Sequence, residues 1–409
     1  MNKTYKIIFN RLRGTLMVAN EMTRSVQRKS AKCVLATAAI AMMTVGTAQG
    51  ESTTPIVWDS ATLPSSVSAF VNTGKQYLKD YDIAYGVYIK KESSASGKVT
   101  EDLTVNLTSN GIKTVGGIFS NKAYEESESY PTFASKNLTV SAHSWHKNAN
   151  VSALYIAEGA AICIDSSSSD NTPTKVSLSA SSTYGGFVVG ILSHGERYYD
   201  DKIEDGGIIK IKTDSLTVNA TVESVEEITN NNVTTRTPKK LSDAYDGQVF
   251  GIHTSDNPGT GRIYLDAKTV NFNINNEAEF EPTGNGATYG IDVTRGDLVS
   301  GLYEEGTVTT GSTFTITATA GYGAGDKFSM GGIRNKASTV NLGHETVTIK
   351  LNVSKGGASY TEPVAYKGTA ATDAKGISVG NYCSYRDPKT NQTVDYFRTG
   401  SVTLKGKLV

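Results

Sequence analysis

The chain has 409 residues, 38% hydrophobic and 20% charged, with 40 glycines against nine prolines, a balance that excludes wholesale disorder and, with Thr, Ser, Asn and Val frequent, favours strands and tight turns over helices. Its net charge of zero divides unevenly: eight of 40 basic and one of 40 acidic side chains fall within residues 1–50, which leaves 32 and 39, a net of −7, for residues 51–409. A mildly acidic body excludes nucleic acid as a partner, because phosphate binding needs a concentrated basic surface.

The chain opens MNKTYKIIFNRLRGTLMVANEMTRSVQRKS and only then turns apolar, with CVLATAAIAMMTVGTAQG. From Cys33 to Gly46 the residues are nearly all apolar or small, a run shorter than the ~20 residues of a membrane span. Arg28, Lys29 and Lys32 precede the run and Gly46-Thr47-Ala48-Gln49-Gly50 closes it. Those are the three parts of a cleavable secretory signal helix, with cleavage expected after Ala48 or Gly50. The thirty residues ahead of it carry a second pattern: Asn2-Lys3, Tyr5-Lys6, Phe9-Asn10, Arg13-Gly14, then an apolar stretch ending at Glu21. This pattern resembles the extended signal peptide region of type V secretion in Gram-negative bacteria, with Phe9 where the family usually has Trp. The resemblance covers about 30 residues. It implies export through the Sec translocon, involvement of the outer-membrane barrel assembly machinery, and a large cargo bound for the outer membrane or beyond.

Residues 51–82 lack the regularity that follows. SSVSAFVNTGKQYLKDY fits either a short amphipathic helix or an irregular cap, and an irregular N-terminal cap over 51–82 is the expectation, because the end of a repeat array is atypical.

From about residue 83 one arrangement recurs. An alternating strand appears at Leu103-Thr-Val105, Leu138-Thr-Val140, Val176-Ser-Leu178, Leu216-Thr-Val218, Val270-Asn-Phe272, Phe314-Thr-Ile316 and Val347-Thr-Ile349. A second element, usually Gly-Ile or Gly-Val, follows each turn: Gly86-Val87, Gly117-Ile118, Gly190-Ile191, Gly251-Ile252, Gly290-Ile291, Gly332-Ile333 and Gly376-Ile377, with Leu154-Tyr155-Ile156 filling the slot once without glycine. Several copies add a strand ahead of the first, as in Ile209-Lys-Ile211 and Ile263-Tyr-Leu265. The underlying step is about 30–45 residues, the length of one unit in a repeat architecture. Alternation puts Leu, Val, Ile and Phe on one face and Thr, Asn and Lys on the other. One such strand cannot bury its apolar face alone, whereas coils stacked ~4.8 Å apart share a continuous core. The fold expected over 83–409 is therefore all-β, a right-handed parallel β-helix of about eight coils. A β-propeller also takes ~40 residues per unit, but its blades need four strands.

Candidate chemistry is sparse. Arg295-Gly296-Asp297 is an integrin-recognition tripeptide and equally an ordinary turn sequence. His143-Ser-Trp145-His146 has an H-x-x-H spacing without a third ligand beside it and reads as a solvated polar loop. His194-Gly-Glu196-Arg197-Tyr198-Tyr199-Asp200-Asp201-Lys202 is the densest cluster of carboxylates and rings, a weak candidate for calcium or a sugar. Cys163, in AAICID, is expected as a small core residue, and Cys163 and Cys383 are too few for a disulfide scaffold. The Gly-Asp-Ser-Gly of serine-protease passengers and the calcium-binding nonapeptide repeat are absent. No catalytic, cofactor-binding or metal-binding residue is assigned.

The chain finishes Ser401-Val-Thr-Leu404-Lys-Gly-Lys-Leu-Val409, in what reads as another body strand. The resemblance implies a translocator barrel downstream, so the expectation is the front part of an autotransporter passenger. The expected function is non-enzymatic adhesion or self-association at the cell surface, with a host protein, a glycan or a second copy as partner. Without a translocator the location is periplasmic. The alternatives are a polysaccharide-acting enzyme on the same scaffold and a nonfunctional fragment.

Overall fold

The computed structural model describes residues 6–10 and 15–19 and, from 51 onward, the strands with the residues that immediately join them. The larger stretches outside the description are 20–50, 73–82, 91–101, 122–131, 301–307, 321–328 and 354–373. The expected signal helix, its cleavage point and most of the leader motif lie outside the described residues. The chain divides into two compact units, Met1–Gln49 and Gly50–Val409. In the first, Lys6–Asn10 and Thr15–Ala19 pair as an antiparallel hairpin.

The second unit is a parallel β-helix in which each full coil has three sides. Side one runs through Thr132–Phe133, Ala161–Asp165, the first half of Ile208–Val222, the first half of Gly261–Asn276, Gly296–Ser300, Thr339–Leu342 and Ser401–Leu404. Side two stacks Ser66–Asn72, Leu103–Asn110, Asn137–Ser144, Lys175–Ser182, the second halves of those two long strands, then Thr309–Ala320 and His344–Val353. Side three is a sheet of nine strands, from Ile56–Val57 to Ala374–Gly380. Every pairing along the three sides is parallel, as a coil returning to the same side requires.

The core columns follow from the alternation. On side two Leu103, Leu138, Val176, Leu216, Val270, Phe314 and Val347 are successive in-register partners. All seven are fully or almost fully buried. They are the first residues of the seven strand copies legible in the sequence. The outward residues between them form polar ladders: Asn273 Nδ2 donates to Asn219 Oδ1 (3.0 Å) and Asn219 Nδ2 to Ser179 Oγ (3.1 Å). Buried asparagines close the corners. Asn335 Nδ2 donates to the carbonyls of Ser338 (2.7 Å) and Ser401 (2.8 Å), while its Oδ1 accepts from the Ser338 amide. Corner backbone that leaves the ladder is thus still hydrogen-bonded, as burial demands.

The Gly-Ile elements form side three, and the glycine has a steric cause. A Cβ on Gly117 would lie 2.8 Å from the Ala153 carbonyl oxygen of the next coil and 2.5 Å from Val140 Cγ1 across the core. A Cβ on Gly332 would meet the Gly376 carbonyl at 2.6 Å and Ile349 Cγ2 at 2.5 Å. At this point two consecutive residues turn inward: Gly86 faces Val105 while Val87 also joins the core, and Tyr85 and Tyr88 pack together outside it. The backbone is drawn into the core there, and only glycine leaves room. The glycine-free copy puts Ala153 in this column, and the register sets it opposite Leu178, where the other copies present Val105, Val140, Val218, Phe272, Ile316 and Ile349. Leucine branches one carbon further out than valine or isoleucine, which leaves space for one methyl group.

Two expectations change. Ser66–Asn72, left open between a short helix and an irregular cap, is a strand paired with Leu103–Asn110, because Val67 fits the column of Val105. Cys163 is not a core residue: it is half-buried between the inward Ile162 and Ile164, so it faces out of side one.

Candidate functional site

The residue after each Gly-Ile pair points out of side three, and these residues form one column: Tyr88, Phe119, Tyr155, Leu192, His253, Asp292, Arg334 and Ser378. A parallel column holds Tyr85, Val189, Phe250 and Tyr289. Their rings pack along the helix axis. Tyr88 stacks on Phe119 at 5.4 Å, Phe119 packs on Tyr155 at 5.1 Å, and Phe187 packs on Phe250 at 5.4 Å.

Where the aromatic column ends, a charged cluster begins. Asp292 is fully buried although its strand position faces outward, because neighbours on the coils before and after enclose it. Arg334 Nε donates to Asp292 Oδ1 and the terminal Nη2 to Oδ2, both at 2.7 Å. From the other side His253 Nδ1 lies 2.9 Å from Oδ2. Burial by itself would push the Asp292 carboxyl up, but the hydrogen bonds and charges of Arg334 and His253 outweigh it and hold the carboxyl well below the usual carboxylate range. An ionised carboxylate only accepts, so the proton of neutral His253 sits on Nδ1 and its lone pair on Nε2. The Arg334 guanidinium lies over the Tyr289 ring, 4.2 Å from its centroid, and the His253 ring packs on Phe250 at 4.8 Å. Three coils are therefore tied together by one carboxylate, in the bidentate geometry that makes Arg–carboxylate pairs strong.

The sequence reading missed these three residues. Their signal was available: each follows Gly-Ile in three successive copies, as Gly251-Ile252-His253, Gly290-Ile291-Asp292 and Gly332-Ile333-Arg334. It also took the G-x-S-x-G motif to be absent, whereas Gly376-Ile377-Ser378-Val379-Gly380 has that form. That motif carries a nucleophile only at a sharp strand-to-helix turn. Here it lies within the strand Ala374–Gly380. Ser378 neighbours Arg334, not His253, which is three coils away, about 14 Å at the usual strand spacing. Serine and histidine are out of hydrogen-bond reach, so the column is not a hydrolase triad.

The candidates read from sequence are scattered. Arg295 lies outside the described residues; Gly296 and Asp297 begin a strand and are ladder partners of Gly261 and Arg262. His194 ends the strand Gly186–His194. Tyr198 and Tyr199 pair antiparallel with Ile203 and Lys202, while Asp200 and Asp201 lie outside the described residues. His143 is not in a solvated loop. It is buried near the end of Asn137–Ser144, with Nδ1 2.9 Å from Ser181 Oγ and Nε2 3.3 Å from Thr183 Oγ1 of the next coil. Val225–Asn230 and Val233–Pro238 pair as an antiparallel hairpin. Tyr382–Arg386, which contains Cys383, pairs with Thr393–Phe397 in another.

Comparison with known proteins bears on the first unit. No curated protein and no solved structure matches the chain. Residues 1–50 match the family model described as the extended signal peptide of the type V secretion system. The leader is thus of the autotransporter type, and it directs an all-β, parallel β-helical chain across the inner membrane toward the cell envelope or surface.

Proposed function

We propose that the exported β-helix, once its leader is removed, serves as a non-enzymatic passenger for adhesion or autoaggregation through its sides and inserted hairpins. The observation that carries the reading is the pairing of a type V leader over residues 1–50 with a parallel β-helix over the remainder. The outward face supports it: polar Asn and Ser ladders run along side two. Hairpins at Tyr198–Ile203, Val225–Pro238 and Tyr382–Phe397 interrupt the coils and add variable contact surface. Within this reading residues 1–50 are the leader, cut after Ala48 or Gly50; 51–82 lead into the helix; and 83–409 form the passenger body. The barrel assembly machinery serves its exit, and a host protein, a glycan or a second copy is its partner. Arg295–Asp297 and the segment from His194 to Asp201 are its candidate contact points.

The test is binding of purified residues 51–409 to immobilised matrix proteins, a glycan array and host cells, together with settling of cells that display it. Saturable binding in any arm, or settling, supports the reading. Inertness in all of them overturns it.

A further inference from the structure

The outward face of side two carries no charge over most of its length. From Leu103–Asn110 to Thr309–Ala320 the alternate residues of six successive strands stand in register as three files. Apart from the buried His143, every position is Thr, Ser or Asn: Asn271, Asn273 and Asn275 on one coil are the partners of Thr315, Thr317 and Thr319 on the next. The chain as a whole is 20% charged, and side one presents Lys210, Lys212 and Asp266 outward. The neutrality is therefore a property of this face and not of the composition. Asparagine is also a poor strand residue, yet three alternate along one strand here, a local choice that folding alone does not require.

The partner that fits such a face is itself uncharged, because a charged one would give up hydration without gaining an opposite charge. It also repeats. Each file offers hydroxyl and amide groups once per coil, about every 4.8 Å, a rise close to the length of one sugar residue in an extended chain. A linear polysaccharide would meet equivalent groups along its whole length, and many weak contacts would add. Hydroxyls and amides both donate and accept, as sugar hydroxyls do. At the corner beyond the third file two rings stand on consecutive coils. Trp145 packs edge-on against His143, the third-file residue of its coil, at 4.8 Å and lies 6.3 Å from Tyr184. Both rings are partly exposed. Ring faces take the apolar C–H faces of sugars, while the files take the hydroxyls. The Ser, Thr and Asn of a second copy would offer these rings nothing apolar.

We propose that side two is the adhesive surface and that an uncharged, extended polysaccharide lies along its files, with Trp145 and Tyr184 as the wall against which sugar rings pack. The inference rests on the adhesive reading above and names its face and its ligand class.

The experiment measures depletion of residues 51–409, which contain the whole hydrophobic core, onto microcrystalline cellulose and onto chitin, with heparin beads as the anionic comparison. Wild type is expected to bind at least one of the neutral polymers saturably, with no loss at raised salt, and not to bind heparin. Thr139 and Asn273 are exposed on the face, so T139K/N273K should weaken binding by about tenfold or more, with circular dichroism and melting temperature unchanged. Trp145→Ala should weaken it about tenfold through the lost ring contact. The same charge placed outward on side one, in Asn341→Lys, should change nothing. No binding to either polymer, with matrix proteins or host cells still bound, overturns this inference and leaves the adhesive reading standing; inertness in every arm overturns both. Polymer binding that T139K/N273K and Trp145→Ala both retain also overturns it, because it places the ligand elsewhere. Settling of displaying cells that T139K/N273K abolishes, without polymer binding by wild type, makes the occupant a second copy and overturns it as well.

Discussion

Gly332 and Gly376 occupy the same motif and the same column, one coil apart, yet alanine should act oppositely at the two. At Gly332 an added Cβ falls 2.6 Å from the Gly376 carbonyl and 2.5 Å from Ile349 Cγ2, well inside the 3.4–4 Å of ordinary contact. The carbonyl belongs to a paired strand and cannot move without breaking its ladder, so the coils must separate locally. Overpacking of this kind costs about 1–3 kcal/mol. Alanine also restricts the unfolded chain, which returns about 0.4–1 kcal/mol. The net loss for Gly332→Ala is about 1 kcal/mol, roughly a 2 °C drop in melting temperature for a unit of this length. At Gly376 nothing lies within 4 Å of the added Cβ, and its backbone is outside the left-handed region. Only the unfolded-state term remains, so Gly376→Ala should be neutral or stabilising by up to about 1 kcal/mol. Both variants are read by thermal and urea unfolding of residues 51–409. Equal destabilisation by the two would refute the argument, because it would mean that the column needs glycine for its backbone angles and not for the space beside it.

The exception in that column makes a coupled prediction. Leu178→Val brings a β-branched side chain opposite Ala153 and should cost more than the lost methylene, while adding Ala153→Gly should recover most of the excess; strict additivity in the double-mutant cycle would refute the pairing. His344 makes stability depend on pH: it is buried against Phe314, and burial lowers its pKa to about 4 from an ordinary 6.5. The unfolded chain therefore takes up this proton first, so stability should fall as pH drops from 6.5 toward 4, by at most about 3 kcal/mol from this group. His344→Phe should flatten that window in urea titrations at several pH values, and an unchanged slope would assign the effect to other groups. Asp292→Asn leaves the Arg334 guanidinium and the His253 N–H facing a neutral amide. It should lower stability by about 3 kcal/mol, toward the lower end for breaking a buried pair because the Arg334 side chain retains some solvent; a loss below 1 kcal/mol would show that the cluster is no lock.

The interior was more legible than the exterior because one physical demand repeats along it. Every coil must present an apolar residue to the same column, so the seven strand copies beginning at Leu103 and the Gly-Ile copies beginning at Gly86 are the columns of sides two and three. Side one was only partly legible: Thr132–Phe133 and Ala161–Asp165 are too short to show a period, and they were seen only where longer strands carried the pattern, at Ile209 and Ile263. The hairpin Val225–Pro238 was hidden for a different reason. Its strands pair with each other and not with the helix, so a Thr- and Asn-rich sequence suffices. Contiguity governed the search for a site. His194–Asp201 stands out because its polar residues adjoin in the chain, whereas His253, Asp292 and Arg334 are about 40 residues apart and meet only because each coil returns to the same place.

That return also limits what the outward column can contain. A residue there has its neighbours on the adjoining coils at the strand spacing of about 4.8 Å, so a buried charge is tolerated only beside an opposite one. Tyr88, Phe119, Tyr155 and Leu192 meet the demand with apolar contact, and the next three meet it with the order cation, anion, cation when His253 is protonated. Reversing one member tests the rule. Arg334→Met removes the partner that outweighs burial and should cost about 3–5 kcal/mol at neutral pH. Arg334→Glu sets a second carboxylate against Asp292 and should cost more, and its pH dependence changes sign. In wild type the Asp292 carboxyl is depressed, so its contribution is present above the ordinary carboxylate range and is lost as pH falls below it. In Arg334→Glu the like charge raises the folded-state pKa above the unfolded value, so that contribution is present at low pH and is lost as pH rises. Urea midpoints measured from pH 7 to pH 2, with His344→Phe in both backgrounds to remove the histidine window, should therefore fall in the parent once pH drops below the ordinary carboxylate range and rise toward acid in the variant. Parallel curves would mean that Asp292 does not feel the residue on the next coil.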